Sequence, residues 1–140
     1  MAQRKKKTSS LWHVLIAEDD EKSAQHLKTT LNRLAKCQIV KNGQEAILTH
    51  QTFLEKNHPF DFILLDVTMP LLDGFEALKV IRAKEESKGG TSFKPAHIIM
   101  TTAYRDSLME RYNMGWDEYI TKPVDPQRLI QKMKQMFKST

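Results

Sequence analysis

The chain has 140 residues, of which 40% are hydrophobic and 28% are charged, and its net charge at pH 7 is +5. This length and composition predict one soluble globular domain. No apolar run approaches the ~18 residues that span a bilayer, and no apolar segment follows the basic start, so neither a membrane helix nor a secretory signal is expected.

The first eleven residues are predicted to form a disordered basic tail, ahead of a folded domain over residues 12–138. Residues 4–7 are all basic, which could attract nucleic acid or an anionic membrane surface. A solvated tail is the favoured interpretation, because the segment has no periodicity and no interleaved aromatic residues. The single cysteine, Cys37, excludes an internal disulfide and agrees with a cytoplasmic location. It is expected to be a buried, unreactive thiol.

Five short apolar runs predict buried strands, at residues 14–17, 38–40, 62–65, 97–101 and 118–121. Amphipathic helical patterns lie between and after them. Their apolar faces are predicted to carry Ala24, Leu27, Leu31 and Leu34, then Phe75, Leu78 and Ile81, and finally Leu129, Ile130, Met133, Met136 and Phe137. Asp125 and Pro126 are the expected cap and first residue of the last helix, and Gly115 is expected to end the helix before the fifth strand.

Strands that alternate with helices indicate βαβ units, and hence a doubly wound α/β fold with a five-stranded parallel sheet. The carboxyl ends of parallel strands meet at one edge, where such sheets bind their ligands. Glu18 and Asp19 follow the first strand, Asp66 ends the third, and Lys122 follows the fifth. Three carboxylates held together need neutralisation, which a divalent cation and the lysine provide. Oxygen ligands favour Mg²⁺, and an aspartate beside Mg²⁺ and lysine can accept a phosphoryl group.

Thr102, at the end of the fourth strand, can add a hydroxyl donor to the same edge, and Ala103 leaves room for the incoming group. Each feature alone has an ordinary explanation, since an acid after a strand is commonly a turn or helix cap and a threonine commonly bonds to nearby backbone. Their joint occurrence at successive strand ends favours the functional interpretation.

The motifs at these strand ends resemble the receiver domains of two-component response regulators. The matching segments are residues 14–20, 41–46, 64–74, 102–103 and 119–123, and the resemblance covers about residues 12–138. It implies a flavodoxin-like (β/α)5 fold with strand order 2-1-3-4-5.

The resemblance also implies a role for each residue at the predicted site. Asp66 would be the phosphoacceptor. Asp19 would bind Mg²⁺ directly, Glu18 would bind it through water, and the backbone carbonyl of Thr68 would be a further ligand. Lys122 would pair with the phosphoryl group.

A second set of residues resembles the switch of the family. Thr102 would be the switch hydroxyl and Tyr119 the coupled aromatic residue. Pro123 would follow a cis peptide bond. Thr68 and Tyr104 resemble the positions that tune hydrolysis of the phosphoryl group.

The resulting hypothesis is a stand-alone response regulator or phosphorelay intermediate in the cytoplasm. Its phosphoryl group would come from a sensor histidine kinase or a histidine phosphotransfer protein. A receiver module of a larger hybrid kinase is the alternative. The chain would not be an enzyme acting on other substrates, beyond self-catalysed phosphotransfer and autodephosphorylation.

Other protein classes fit the motifs less well. Aspartate-nucleophile phosphatases need a second acid where Thr68 stands. An FMN-binding module would need a phosphate-cradling loop in place of the acidic, proline-broken segment after Asp66. No room is left for a helix-turn-helix, so nucleic acid is not an expected partner.

The output partner, whose identity the sequence does not give, is expected to bind one particular face. That face would be formed by the helix between the fourth and fifth strands, the fifth strand and the last helix. It would expose Met109, Tyr112, Trp116 and Tyr119. The histidines show no metal-ligand spacing and are interpreted as surface or loop residues: His13, His26, His50, His58 and His97.

Overall fold

A computed structural model describes residues 11–88, 93–103 and 115–138 of the protein. The five strands form one sheet in which each hydrogen-bonded pair is parallel, in the order β2-β1-β3-β4-β5. The predicted doubly wound fold and strand order are therefore confirmed. The strands are β1 Trp12–Ala17, β2 Ala35–Val40, β3 Phe62–Asp66, β4 His97–Thr102 and β5 Glu118–Thr121.

The agreement between the apolar runs and the observed strands depends on how deeply each strand is buried. Every residue of β1 and β3 is buried, because both strands lie inside the sheet and carry helices on both faces. Strand β2 is at the edge and begins at Ala35, three residues before the predicted run. Its first half alternates buried and exposed residues, so an apolar run could not reveal it.

Four helices are described: α1 Glu21–Leu31, α2 Gly43–Glu55, α3 Gly74–Lys88 and α4 Pro126–Lys138. Side-chain caps set where they begin. The carboxylate of Asp20 accepts a hydrogen bond from the Ser23 amide at 2.9 Å, and Asn42 caps α2 in the same way. The predicted cap of the last helix is confirmed, since Asp125 Oδ2 accepts from the Arg128 amide at 2.9 Å.

The prediction that Leu34 lies on the first helix is wrong. Helix α1 ends at Leu31, and Leu34 lies in the turn that leads into β2. The Leu34 amide donates to the Leu31 carbonyl, while the Leu34 carbonyl accepts from the Trp12 amide, both at 2.9 Å. The side chain still packs against the core, so its apolar character fitted the helical pattern by coincidence.

The two faces of the sheet carry separate apolar clusters. On one face Leu15, Ile63 and Leu65 pack against α2 and α3, including Leu78 and Ile81 of the predicted helical face. The other face packs against α1 and α4, through Leu27 and Leu31 and through Leu129 and Met133. Alternate residues of β1 and β3 thus pack on opposite faces of the sheet. A shift of one residue in the pairing would turn these side chains to the wrong face, so the apolar pattern fixes the register of the strands.

Two of the five histidines contradict their interpretation as surface or loop residues. His13 lies inside β1 and is 7% exposed, with its ring stacked on those of His58 and Phe60. Burial lowers the pKa of His13, although the Pro59 carbonyl partly opposes this. His50 is 2% exposed on α2, and its Nε2 lies 3.6 Å from the Glu85 carboxylate. Both rings are buried in the interior. The spacing of histidines along the chain tests for metal ligands and does not indicate whether a ring is buried.

A network around Arg82 ties α3 to the starts of β4 and β5. Its guanidinium donates to the Glu85 carboxylate at 2.6 Å and to the Ala96 carbonyl at 2.9 Å. It also donates to the Gly115 carbonyl at 2.8 Å and to Asp117 at 2.9 Å. Gly115 has a φ of 115°, as predicted for a left-handed position. The network fixes the point at which the chain enters β5.

Several sequence predictions fall outside the described residues. They are the basic tail over residues 1–10, the helix between β4 and β5, and the contacts of Tyr104, Met109 and Tyr112. Within the described ranges, the helices are too short or too polar to cross a membrane.

Candidate functional site

The carboxyl ends of β1, β3, β4 and β5 place the predicted site residues at one edge of the sheet. Glu18 directly follows β1, and its amide donates to the Val40 carbonyl at 3.0 Å. Asp66 is the last residue of β3, Thr102 is the last of β4, and Lys122 directly follows β5. As predicted, the carboxyl edge of the sheet carries two acids, a hydroxyl and a lysine, in that chain order.

Lys122 bridges two buried carboxylates at this edge. Its Nζ lies 2.9 Å from Glu18 Oε1 and 3.0 Å from Asp66 Oδ2. Glu18 is 2% exposed and Asp66 is 3% exposed, whereas 28% of the lysine side chain remains accessible. Buried carboxylates need such a counter-charge, because an unpaired ion is costly to remove from water. The peptide bond between Lys122 and Pro123 is cis, as the resemblance implied.

Backbone amides hold the second oxygen of each buried carboxylate. Glu18 Oε2 accepts from the Asp20 amide at 3.1 Å, and Asp66 Oδ1 accepts from the Thr68 amide at 3.3 Å. Each acid thus has one oxygen on the lysine and the other on a loop amide. Both side chains are oriented before any ligand arrives.

The pKa of Asp66 is raised to about 6, well above that of an ordinary aspartate. Burial is the main cause, and the negative charge of Glu18 adds to it, while the hydrogen bond from Lys122 acts in the opposite direction. Burial would lower the pKa of Lys122, but its hydrogen bonds to Glu18 and Asp66 raise it. One lysine therefore compensates the acids only in part, and the site favours additional positive charge.

Glu18, Asp19 and Asp66 form the cluster that can hold a metal ion. Each offers one carboxylate oxygen, and these oxygens lie within 4.8 Å of one another. Asp19 is exposed, so it can be reached from solvent, while its two partners are buried. All donors are carboxylates and their charge is only partly compensated, which fits a hard divalent cation such as Mg²⁺. Asp20 is not part of the cluster, because its carboxylate caps α1.

Two glycines allow the loop after Asp66 to fold back against the site. The Gly74 amide donates to the Val67 carbonyl at 2.8 Å, and a Cβ on Gly74 would come within 2.3 Å of the Asp66 carbonyl oxygen. A Cβ on Gly43 would come within 2.2 Å of the Leu72 carbonyl oxygen. The loop is therefore closely packed at both ends, a role that the sequence did not predict for Gly43.

Thr102 and Tyr119 lie near the site on neighbouring strands. Thr102 is fully buried, and its carbonyl accepts from the Lys122 amide at 2.7 Å. Tyr119 is half-buried opposite Met100, and its ring makes an edge contact with Trp116 at 5.5 Å between centroids. The geometry links Thr102 directly to the segment that carries Lys122. The switch roles of Thr102 and Tyr119 stay predictions, as does the metal-binding role of the Thr68 carbonyl.

Replacing Asp66 by asparagine is expected to stabilise the metal-free protein at pH 8. A folded-state pKa raised to about 6 means that the stability associated with protonated Asp66 is lost as the pH rises through that value. The shift corresponds to about 2–3 kcal/mol in favour of Asp66→Asn at pH 8, with little difference near pH 4. Urea unfolding of both proteins with a chelator, at the two pH values, measures this difference in the free energy of unfolding. If the two proteins differed by the same amount at pH 4 and pH 8, the result would contradict a buried, partly compensated charge on Asp66.

The chain matches the family described as the response regulator receiver domain over residues 14–134. Among curated relatives, it is 32% identical over 119 residues to hybrid signal transduction histidine kinase I of Dictyostelium discoideum. It is 33% identical over 121 residues to the sensor histidine kinase GacS of Pseudomonas protegens. Each match covers 84% of this chain but only 7% and 12%, respectively, of these much longer relatives.

A solved structure supports the same relationship. It contains the receiver domain of the Saccharomyces cerevisiae response regulator Ssk1 together with the histidine phosphotransfer protein Ypd1. The match has 30% sequence identity and a TM-score of 0.78, and it covers 90% of this chain and 88% of the solved one.

Proposed function

The chain belongs to the response regulator receiver domain family, and on that premise we propose that Asp66 accepts a phosphoryl group from a phosphohistidine donor. Receiver domains are the phosphoacceptors of two-component systems, and they pair with histidine kinases and histidine phosphotransfer proteins. The proposal rests above all on the contact of 3.0 Å between Lys122 Nζ and Asp66 Oδ2, beside an acidic cluster that fits a metal ion.

Several residues of the chain have different roles in the proposed phosphoryl transfer. One carboxylate oxygen of Asp66 forms a bond to phosphorus as the bond from phosphorus to the donor's imidazole nitrogen breaks. The imidazole nitrogen keeps the electron pair and takes up a proton. Lys122, which contacts Asp66 in the resting site, pairs with a phosphoryl oxygen and offsets its charge. Thr68 keeps the acceptor oriented through its amide.

Glu18, Asp19 and Asp66, with the backbone carbonyl of Thr68, are the proposed protein ligands of Mg²⁺. Receiver domains of this family bind Mg²⁺ in the active site. When bound, the ion supplies positive charge that offsets the carboxylates and the phosphoryl oxygens. The proposed contact of Glu18 runs through water, because Glu18 Oε1 already pairs with Lys122.

Phosphorylation is proposed to act through Thr102 and Tyr119. An aspartyl phosphate adds close to two negative charges and several acceptor oxygens at the sheet edge. The Thr102 hydroxyl moves toward them, which makes room for the Tyr119 ring to turn inward. The change shifts an existing equilibrium of the domain, for which a few kcal/mol suffice. The output partner then binds the face that includes β5 and α4.

In the proposed biological setting, the domain acts as a stand-alone regulator or phosphorelay intermediate in the cytoplasm. A receiver module of a hybrid kinase is the second candidate. The matches to the Dictyostelium and Pseudomonas kinases support the second candidate, as the match to the Ssk1 receiver domain supports the first. The chemistry at Asp66 is the same in both. The mass of the native gene product in cell extract, detected by an antibody against this domain, distinguishes them.

Beryllofluoride with Mg²⁺ provides the test of the acceptor and the switch. Backbone amide shifts are expected to change around Asp66 and also from Trp116 to Tyr119, because the Tyr119 ring changes its environment. Asp66→Asn is the control, and its spectrum is expected to stay unchanged. Shifts confined to the loops around Asp66 would contradict the proposed switch, and the absence of shifts in the wild type would contradict the proposed acceptor.

A further inference from the structure

A cavity lies at the edge of the sheet opposite to the phosphoacceptor, where β3 and β4 begin. Asp61, directly before β3, and His97, the first residue of β4, both line it. A strand rises about 3.3 Å per residue, so roughly 16 Å separate Asp61 from Asp66. The volume is about 680 Å³, within the range of about 300–1,000 Å³ found for small-molecule sites. Volume alone does not identify a ligand, so the lining has to do so.

Aromatic side chains form much of the lining of this cavity. Phe60 is 2% exposed, and its ring stacks on that of His13 with 4.1 Å between centroids, so this part of the wall is fixed. Phe93 and His97 are partly exposed, and Phe137 is 46% exposed. Aromatic rings bind a further ring by offset stacking or by edge contact. The lining therefore favours a ligand with a flat aromatic body.

Two lysines bring positive charge to the same cavity. Lys88 Nζ lies 3.5 Å from the Leu54 carbonyl oxygen and 3.4 Å from Asn57 Oδ1, and both oxygens are neutral. Lys94 also lines the cavity and is exposed. Among the described residues, the lysines and arginines that form ion pairs are Arg82, Lys122 and Lys132. Within that part of the chain, the two ammonium groups at the cavity are therefore not paired with a carboxylate.

The ordinary role of Lys88 is to cap α2, whose last turn contains no basic residue. This role leaves donor capacity for a ligand. An ammonium group has three hydrogens, and both observed contacts lie at the long end of the range for hydrogen bonds. Capping also does not account for Lys94 or for the partly exposed rings beside it.

Asp61 limits the charge that a ligand can carry. It is the acid among the described lining residues, and its Oδ2 accepts from the His13 amide at 2.8 Å, which holds the carboxylate in place. Two lysines and one aspartate leave a single positive charge to be matched. A monoanion fits this balance better than a neutral ligand or a dianion.

We propose that this cavity binds a small aromatic carboxylate. Its ring contacts Phe93, His97 and Phe137, and its carboxylate pairs with Lys88 and Lys94. An ion pair that is partly removed from water is stronger than the same pair in bulk solvent, so the cavity favours the carboxylate over a neutral group. The binding site does not include Asp66 and does not depend on phosphoryl transfer.

Titration of the full chain with cinnamate, followed by backbone amide shifts, tests the proposal. The amides of Asn57, Asp61 and His97 are expected to shift and to saturate, whereas those of Glu18 and Asp66 stay in place. Acetate carries the charge without the ring, and cinnamyl alcohol carries the ring without the charge. Each of them is expected to bind about fivefold more weakly than cinnamate, or weaker still.

Lys88→Met removes the charge and keeps a long side chain. Its affinity for cinnamate is expected to fall about fivefold, the factor for one screened charge at about 4 Å, while its affinity for cinnamyl alcohol stays unchanged. Lys28→Met is the matched control, because Lys28 is likewise the exposed basic residue in the last turn of its helix, α1. Phe137→Leu removes a ring and is expected to weaken the binding of both probes. Melting temperatures check that each variant is folded.

Asp66→Asn is expected to bind cinnamate as the wild type does, so a failure of the proposed phosphoacceptor leaves this test intact. The absence of saturable shifts at the cavity in the wild type would overturn the proposal. Equal affinities for cinnamate and cinnamyl alcohol, or equal losses in Lys88→Met and Lys28→Met, would also overturn it. Shifts at Glu18 and Asp66 in place of the cavity amides would assign the carboxylate to Lys122, which contradicts the proposed site.

Discussion

Replacing Asp19 by alanine is expected to abolish Mg²⁺ binding while the fold is retained. Asp19 is the exposed member of the three-carboxylate cluster, so its removal deletes a direct ligand without opening a cavity. Glu18→Gln is expected to weaken binding by only about 10–100-fold, because its contact runs through water. Titration calorimetry with Mg²⁺ measures both effects.

Asp20→Ser provides the matched control for the Asp19 variant. Asp20 is the next acid along the chain, but its carboxylate caps α1, and serine retains this cap. Its Mg²⁺ affinity is expected to stay near that of the wild type. An equal loss in the Asp19 and Asp20 variants would show that general negative charge, and not a specific ligand set, attracts the ion.

Lys122→Ala is expected to separate phosphorylation from switching. Acetyl phosphate still modifies Asp66, although slowly, because the acceptor and the metal ligands remain. The phosphoryl charge then lacks its lysine partner, so beryllofluoride no longer shifts the Tyr119 amide. The variant is also expected to lose about 2–3 kcal/mol of stability at pH 8, since Glu18 and Asp66 stay buried without the cation between them.

Lys22→Ala is the control for this variant. Lys22 is exposed and borders the same surface depression as Lys122. Within the described part of the chain, the cation that pairs with Asp66 is Lys122 and not Lys22. Its phosphorylation, its response to beryllofluoride and its stability are expected to match the wild type. A normal Tyr119 shift in Lys122→Ala would contradict the role of Lys122 in the switch.

The central strands and the acidic edge were predictable from the sequence for a physical reason. Strands that are buried on both faces consist of consecutive apolar residues, and the first polar residue after each run marks the edge of the sheet. This places Glu18, Asp66 and Lys122 without any knowledge of distances. The contact of Lys122 with both acids depends on the order of the strands in the sheet. The residues alone did not determine this order, which was implied by the resemblance to the family.

Other features depend on tertiary contacts that a local pattern does not encode. The first half of β2 alternates in polarity, and Leu34 fitted a helical period although it lies in a turn. His13 and His50 are buried because aromatic rings and a buried carboxylate surround them in the fold. The positive φ of Leu71 leaves no signal in its residue type, since leucine is not a residue that favours such a turn.

Intact-mass analysis after incubation with acetyl phosphate and Mg²⁺ tests the proposed phosphoacceptor most directly. The wild type is expected to gain the mass of one phosphoryl group, to lose this gain when the metal is chelated beforehand, and to carry the adduct on the peptide that contains Asp66. Asp66→Asn is expected to gain none. A phosphoryl adduct that persists in Asp66→Asn, or that forms equally without the metal, would contradict the assignment of Asp66 as the metal-dependent acceptor.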